Sequence, residues 1–473
     1  MRKRRFIANV FIMTGSMLLI RLVGMGANIY ITARLGAKAM GIYHMLLSVF
    51  TFGITFAGAG VGFAVTRLVS EQRANEEDIL KKALTITTAM SIVGVLVLYF
   101  GAPYIESRFI KEPHSVYALR MICVSLPFIS ASSVYRGYFI ARRKASVITI
   151  SSIIEESVCI GVTILFLSKF KNTPYAYMCL VYGCTFSNIT AFVADRCLCR
   201  KCIKNSVSNP YRASFKSVFA ICVPIALGSY LRTGLTTAEN LIIPLTFAGY
   251  GISDAVGEYG SIKAMAMMVV MFPAVFIQAF SSMLVPEMSE LNAKGMQKGI
   301  RHIASLSVSA VVTFSCYAAL MLVKQHSLIG GELFKDTRAV YYLGMLSVLA
   351  VPMYLDTVAD NILKGLNLQN VSLKYNIIDS LIRIALIFVF MKKYGPVFYI
   401  AMLYISEIFN LSLSLGKVAR VTKLKFMPME FVVTPLLCSI IAYTFNSPIV
   451  QTVVYWTVYF VMQKKSAENQ HSL

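Results

Sequence analysis

The chain has 473 residues, with 45 Lys and Arg against 22 Asp and Glu for a net charge of +23, yet 57% of it is hydrophobic and its mean hydropathy is +0.67. So much apolar surface, spread along the whole length and interrupted by short basic loops, excludes a water-soluble domain and requires lipid as solvent. A nucleic-acid binder would gather its cations on one water-facing surface; here they sit between apolar runs, so no nucleic-acid partner is expected.

Apolar runs of helical length predict an all-α integral membrane protein with about fourteen transmembrane helices, at 6–31, 41–69, 83–102, 116–141, 147–168, 174–194, 215–243, 259–285, 303–323, 339–363, 371–391, 396–415, 427–445 and 448–463. The basic start Arg2-Lys3-Arg4-Arg5 is followed by an apolar run too long for a cleaved signal peptide, and reads as a retained first span. About 29 of the 45 Lys and Arg fall in the N-terminus, the even-to-odd connections and the C-terminus, against about 11 in the opposite loops and about 5 inside helices. That bias puts both termini in the cytoplasm. Arg142-Arg143-Lys144 and the stretch from Arg196 to Lys216 are the strongest internal cytoplasmic marks, and probes at Arg143, Asn205, Lys298 or Lys423 are expected inside, with Lys111, Lys171 and Asp336 outside. Of the ten cysteines only Cys197, Cys199 and Cys202 cluster; a zinc site wants four ligands, so reduced thiols are expected and no metal.

Internal repetition organises these helices. Gly41-x-Tyr43 through Leu68-Val69-x-Glu71 aligns without gaps on Gly257-x-Tyr259 through Leu284-Val285-x-Glu287. Further on, Pro127 pairs with Pro352, Arg136-Gly137 with Lys364-Gly365, and Ile153-Ile154-Glu155 with Ile377-Ile378-Asp379. The shared order predicts two parallel six-helix lobes, because an even helix count brings both halves in from the same side of the membrane. The expected domains are an N-terminal lobe (1–200), a cytoplasmic linker (201–214), a C-terminal lobe (215–420), and a C-terminal helix pair with its tail (421–473).

Arg21-Leu22-Val23-Gly24, Ala33-Arg34-Leu35-Gly36, Gly41-Ile42-Tyr43 and above all Tyr135-Arg136-Gly137-Tyr138 with Ile153-Ile154-Glu155-Glu156 resemble the stage V sporulation protein B and polysaccharide-transporter branch of the multidrug/oligosaccharidyl-lipid/polysaccharide exporter superfamily, which is related to the lipid II flippases. The resemblance runs along essentially the full chain. It implies a two-lobed fold like that of the multidrug exporters, and a flippase for a lipid-linked saccharide such as a peptidoglycan precursor on undecaprenyl pyrophosphate. The lipid II flippase branch carries further arginines on its first two helices; here Ala27 and Asn28 follow Arg21, and the second helix has no Arg until Arg67.

Charges inside the spans lead to a transporter independently, since each costs about 2.5–3.5 kcal/mol at the bilayer centre and must face a wet cavity or a partner. Arg21 and Arg232 lie roughly 22 and 25 Å along their helices and are repeat partners, as are Asn28 and Glu239. Guanidinium forks suit a pyrophosphate, and Arg21, Arg232, Asn28 and Glu155 are the expected substrate-binding residues; the alternative is that each Arg snorkels to the headgroups. Asp356 and Asp360 stand at i,i+4 spacing and Asp379 repeats Glu155, so Asp356, Asp360, Asp379 and Glu239 are the expected coupling acids for Na+ or H+. The competing expectation is that Asp360 is solvated and Asp379 neutralises Arg383. Pro127, Pro224, Pro273 and Pro352 read as kinks, and Gly58-x-Gly60-x-Gly62 as a close helix contact.

The favoured reading is a monomeric transporter of the bacterial plasma membrane that carries a lipid-linked saccharide from inner to outer leaflet by alternating access, touching membrane lipids and needing no cofactor. A cation-coupled multidrug exporter of the same superfamily shares the fold, although arginines on the lobes disfavour cationic drugs. A membrane enzyme of lipid-linked sugars would place acid/base residues on a substantial outer loop, whereas the outer connections are all about 20 residues or shorter. There is no Gly-rich P-loop for ATP.

Overall fold

The structure, a computed structural model, describes residues 2–71, 75–112, 114–142, 144–170, 173–203, 214–424 and 433–471, with the backbone alone at 2–14, 16–18, 145, 282 and 463–471. Arg143, Lys171, Asn205 and most of the expected 201–214 linker lie outside the described residues.

The chain folds into helices α1 (Arg2–Gly58), α2 (Val61–Ser70), α3 (Glu76–Ile105), α4 (Ser115–Cys123), α5 (Leu126–Ala141), α6 (Ala145–Phe170), α7 (Met178–Ile203), α8 (Phe215–Tyr250) and α9 (Ala255–Gly260). It continues with α10 (Met267–Met271), α11 (Ala274–Ala293), α12 (Gln297–Leu328), α13 (Thr337–Leu346), α14 (Ala350–Gly365), α15 (Gln369–Leu386), α16 (Lys392–Thr422), α17 (Thr434–Tyr443) and α18 (Pro448–His471). No strand occurs among the described residues, as lipid demands of a chain that must satisfy its own backbone.

Eight helical stretches among the described residues are long and apolar enough to cross a membrane, nine if the pair Ala255–Met271 and Ala274–Ala293, bent by 56°, makes one span. The all-helical class therefore holds, while the figure of fourteen crossings is not fixed by it. One of the eight, Leu19–Ser70, has 52 residues, far more than the roughly 20 a crossing takes, and Gly36 (φ 81°, ψ 170°) breaks it. Only glycine adopts that pair of angles cheaply, so α1 is two helices joined at the Ala33-Arg34-Leu35-Gly36 turn. Gly395 (φ 63°, ψ −150°) divides α16 in the same way. The α15 segment, which carries Lys374, Asp379 and Arg383, is not among the eight.

Polar capping sets several of the other boundaries. Asn75 accepts from the Glu77 N–H at the start of α3, whose first turn holds Glu76, Glu77 and Asp78. Asp336 accepts from the N–H groups of Arg338 and Ala339 at the start of α13. Pro127 opens α5 and Pro273 precedes α11 at the 56° bend, so both expected kinks fall at helix breaks; Pro224 is carried inside α8. The sequence repeat has backbone counterparts. Five-residue π-helical turns at Glu106–Ile110 and Ile329–Leu333 are followed by left-handed Lys111 and Lys335, each at φ 53°.

By packing, the chain divides into a unit Met1–Gly260 and a unit Ser261–Leu473. In the first, α2, α3, α5, α7 and α8 bury Val61, Val65, Ile79, Tyr138, Cys199 and Val218 together. Gly62 and Gly137 touch through their backbones, since a methyl group at Gly137 would lie 2.3 Å from the Gly62 carbonyl oxygen, and the glycine-rich step is a packing contact. In the second unit the C-terminal helices pack on α12: Tyr455 donates to the Thr313 carbonyl at 2.7 Å, and Cys438, Ala442 and Tyr455 bury against Leu320.

Candidate functional site

In the first unit, α8 lies along the second half of α1 through a ladder of polar contacts. The Tyr230 hydroxyl donates to the Phe56 carbonyl (2.9 Å), Thr55 meets Thr233 (3.3 Å), Thr237 donates to the Ser48 carbonyl (3.0 Å), and the Asn240 amide donates to the Ser48 hydroxyl (2.9 Å). At about 0.6 kcal/mol each, four such bonds in a membrane are worth about 2 kcal/mol and fix the register of the two helices. Beside this ladder, near the end of α1 at Gly58, lies a cavity of about 380 Å³ lined by Thr55, Gly58, Ser133, Ser229, Arg232 and Thr233. The Arg232 guanidinium has no ion-pair or hydrogen-bond partner among the described residues, so the cavity presents a fixed positive charge beside four hydroxyls. That combination suits an anionic, hydroxyl-rich ligand.

The remaining expected substrate residues do not join Arg232 in this cavity. Arg21 and Asn28 are exposed on the first half of α1. Glu155, on α6, is taken by Arg136 of α5 at 2.5 Å, and the same guanidinium holds the fully buried Asp195 of α7 at 3.2 Å. Asp195 and the bridging role of Arg136 were not legible in advance, although an acid and a base inside neighbouring spans are the signal that would find them. At the ends of α3 and α5, Glu76 is bound by Arg142 and by the Tyr138 hydroxyl (3.2 Å). Glu239 is buried on α8 next to Asn240, which accepts from the Tyr259 hydroxyl at 3.1 Å.

The second unit gathers its acids on α14, α15 and α16. Asp356 accepts from the Asn410 amide (2.8 Å), Asp360 from the Ser372 hydroxyl (2.6 Å), and Asp379 from the Ser406 hydroxyl (2.6 Å). Asp379 also pairs with Arg383 at 3.4 Å, as its i,i+4 spacing anticipates. Glu407, absent from the expected set, lies within electrostatic reach of Asp356, Asp379, Arg383 and Lys263. Its own position inside an apolar run is the signal that was available. No group of three or more His, Cys, Asp or Glu side chains is arranged to hold a metal among the described residues. Asp356 Oδ1, Asn410 Oδ1 and Ser414 Oγ are buried without a hydrogen bond among the described residues, and the carboxylates of Asp360, Asp379 and Glu407 lie within electrostatic reach of Asp356.

Against known proteins, the family described as polysaccharide biosynthesis protein matches residues 6–292. The chain belongs to that family. Stage V sporulation protein B of Bacillus subtilis (strain 168) is 23% identical over 417 residues, covering 82% of this chain and 78% of that protein. Lipid II flippase MurJ of the same organism is 20% identical over 449 residues, covering 85% and 81%. Among solved structures, a lipid II flippase MurJ in an inward closed conformation superposes with a TM-score of 0.73 at 14% identity, over 97% of this chain and 99% of that one. An inward-facing multidrug resistance transporter of the MATE family and MOP superfamily gives 0.64 at 12% identity, over 85% and 96%. This member of the polysaccharide biosynthesis family thus has the fold of the MOP-superfamily exporters, and it is a multi-pass membrane protein.

Proposed function

We propose that the protein is a flippase that carries an undecaprenyl-pyrophosphate-linked saccharide, a peptidoglycan precursor or polysaccharide unit, from the inner to the outer leaflet by alternating access. The observation that carries this reading is the Arg232 guanidinium, unpartnered among the described residues, in a hydroxyl-lined cavity, a setting that attracts phosphate and sugar and repels cationic drugs. Kinship with the polysaccharide biosynthesis family and with stage V sporulation protein B supports it. A membrane enzyme of lipid-linked sugars has no comparable support. The protein acts as a monomer in the bacterial plasma membrane, with both termini in the cytoplasm as the Lys and Arg bias indicates.

Coupling falls to the second unit. Asp356, with the oxygens of Asn410 and Ser414 and the Glu407 carboxylate in its surroundings, is the acid best suited to hold Na+ or a proton. Asp379 is neutralised by Arg383 and ranks below it.

The test is transport in proteoliposomes, comparing lipid II with a simpler undecaprenyl-linked sugar. Wild type is expected to move at least one of them. Arg232→Ala is expected to lose about tenfold or more, and Arg232→Lys to recover only part, because a point charge does not reproduce the guanidinium fork. Full activity of Arg232→Ala would remove the cavity from the transport path.

A further inference from the structure

Glu155 and Glu156 are neighbours on α6, about 100° apart around the helix. Arg136 takes the first, and the second turns to α1. Glu156 has no hydrogen-bond or ion-pair partner among the described residues, roughly 16 Å along a span where an ionised carboxylate costs about 2.5–3.5 kcal/mol. It rests on bare backbone: a methyl group at Gly24 would lie 2.3 Å from its Oε1. Two stretches of sequence, Arg21-Leu22-Val23-Gly24 and Ile153-Ile154-Glu155-Glu156, thus meet at one point. Beside that point lies a groove of about 360 Å³, floored by Leu19, Ile20, Val23, Ile153 and Ile160, with Glu156 its one charged group.

An aliphatic floor takes a hydrocarbon chain. A carboxylate accepts hydrogen bonds and donates none, so it repels a phosphate and selects a ligand whose donors sit next to that chain. We propose that Glu156 is a specificity-determining residue, accepting hydrogen bonds from hydroxyl or amide donors of the saccharide on a polyprenyl-linked substrate, and that Gly24 is glycine to leave the carboxylate room. This rests on the flippase reading and adds to it a contact that recognises sugar rather than pyrophosphate. In one transporter the two recognition jobs are then divided between a guanidinium at Arg232 and a carboxylate at Glu156.

The experiment measures binding to the purified full chain by native mass spectrometry, with an undecaprenyl-pyrophosphate-linked disaccharide, undecaprenyl pyrophosphate alone and lysyl-phosphatidylglycerol as probes. In wild type the disaccharide is expected to tighten binding at least about tenfold over the sugar-free lipid, the weight of one charge-assisted hydrogen bond. Glu156→Ala and Gly24→Ala should bring that ratio near one without weakening binding of the sugar-free lipid, while Glu156→Gln, which keeps an acceptor oxygen, should retain part of it. A wild-type ratio near one, an undiminished ratio in Glu156→Ala, or tighter Glu156-dependent binding of the cationic lipid than of the disaccharide overturns the proposal. Flipping by wild type separates the two claims: a Glu156-dependent ratio without transport removes the flippase reading alone, and transport with a Glu156-independent ratio removes this one alone.

Discussion

Glu155 in the first unit and Asp379 in the second hold matching places in the internal repeat, yet their surroundings differ. Glu155 shares Arg136 with the buried Asp195, so one guanidinium ties α5, α6 and α7 together. Asp379 finds its cation four residues along its own helix, and of the other acids around it Asp356 is held by an amide and Asp360 by a hydroxyl. Lys364, the repeat partner of Arg136, is exposed. A salt-bridged acid cannot give up its partner without leaving a charge stranded, whereas an acid held by neutral donors can exchange a proton or a cation at little structural cost. On the coupling proposed above, the Arg136 cluster is a fastening in the first unit, while Asp356 in the second is the site where a proton or cation would exchange.

The largest effect follows from the fastening. Arg136→Ala leaves Glu155 and Asp195 facing each other without a cation, and is expected to cost about 3–5 kcal/mol, read as lower membrane abundance and earlier thermal unfolding in detergent. Arg383→Ala strips one intrahelical pair from an acid that keeps the Ser406 hydroxyl, and should cost clearly less. Equal losses for the two variants would erase the contrast between the units.

Much of this arrangement was legible in the sequence because lipid makes the rules strict. Apolar runs gave the all-helical class, the glycine of Ala33-Arg34-Leu35-Gly36 marked a true break, and Asp379 found Arg383 at the spacing a helix imposes. What was not legible is pairing across helices. Arg136 and Asp195 lie on α5 and α7, and no periodicity within one helix says which face of another it meets. Helix depth does not separate Glu156 from Glu155, because it fixes how far a side chain lies into the membrane, not which way it turns. Arg21 and Arg232, linked by the repeat, were expected to act together, yet only Arg232 lines the cavity of the first unit.

The exchangeable site gives the second effect, smaller in stability and larger in function. Asp356→Asn keeps the size and the contact with Asn410 but removes the charge, and is expected to leave the protein folded while transport stops responding to an imposed sodium or pH gradient. Glu155→Gln should do the reverse, weakening the fold and leaving the gradient response of the surviving protein in place. Transport driven with and without each gradient, in wild type and both variants, measures this. Wild-type transport that ignores both gradients and follows membrane potential alone would make Asp356 structural, with net movement then coming from the charge on the substrate.

The smallest effect concerns how the second unit carries its last two helices. Tyr455 of α18 is buried among Leu320, Cys438 and Ala442, and its hydroxyl donates to the Thr313 carbonyl of α12. The ring supplies most of the contact area, and Tyr455→Phe keeps it. What is lost is one hydrogen bond, about 0.5–1.5 kcal/mol, and the Thr313 carbonyl still has its own helix to bond with. Thermal unfolding in detergent should fall slightly and transport should be unchanged. Tyr455→Ala removes the ring as well and should cost about 3–5 kcal/mol by opening a cavity against α12. If Tyr455→Phe lowered transport as strongly as Asp356→Asn without lowering stability, α18 would be part of the moving machinery, and exchangeable chemistry in this unit would extend beyond the acids of α14 to α16.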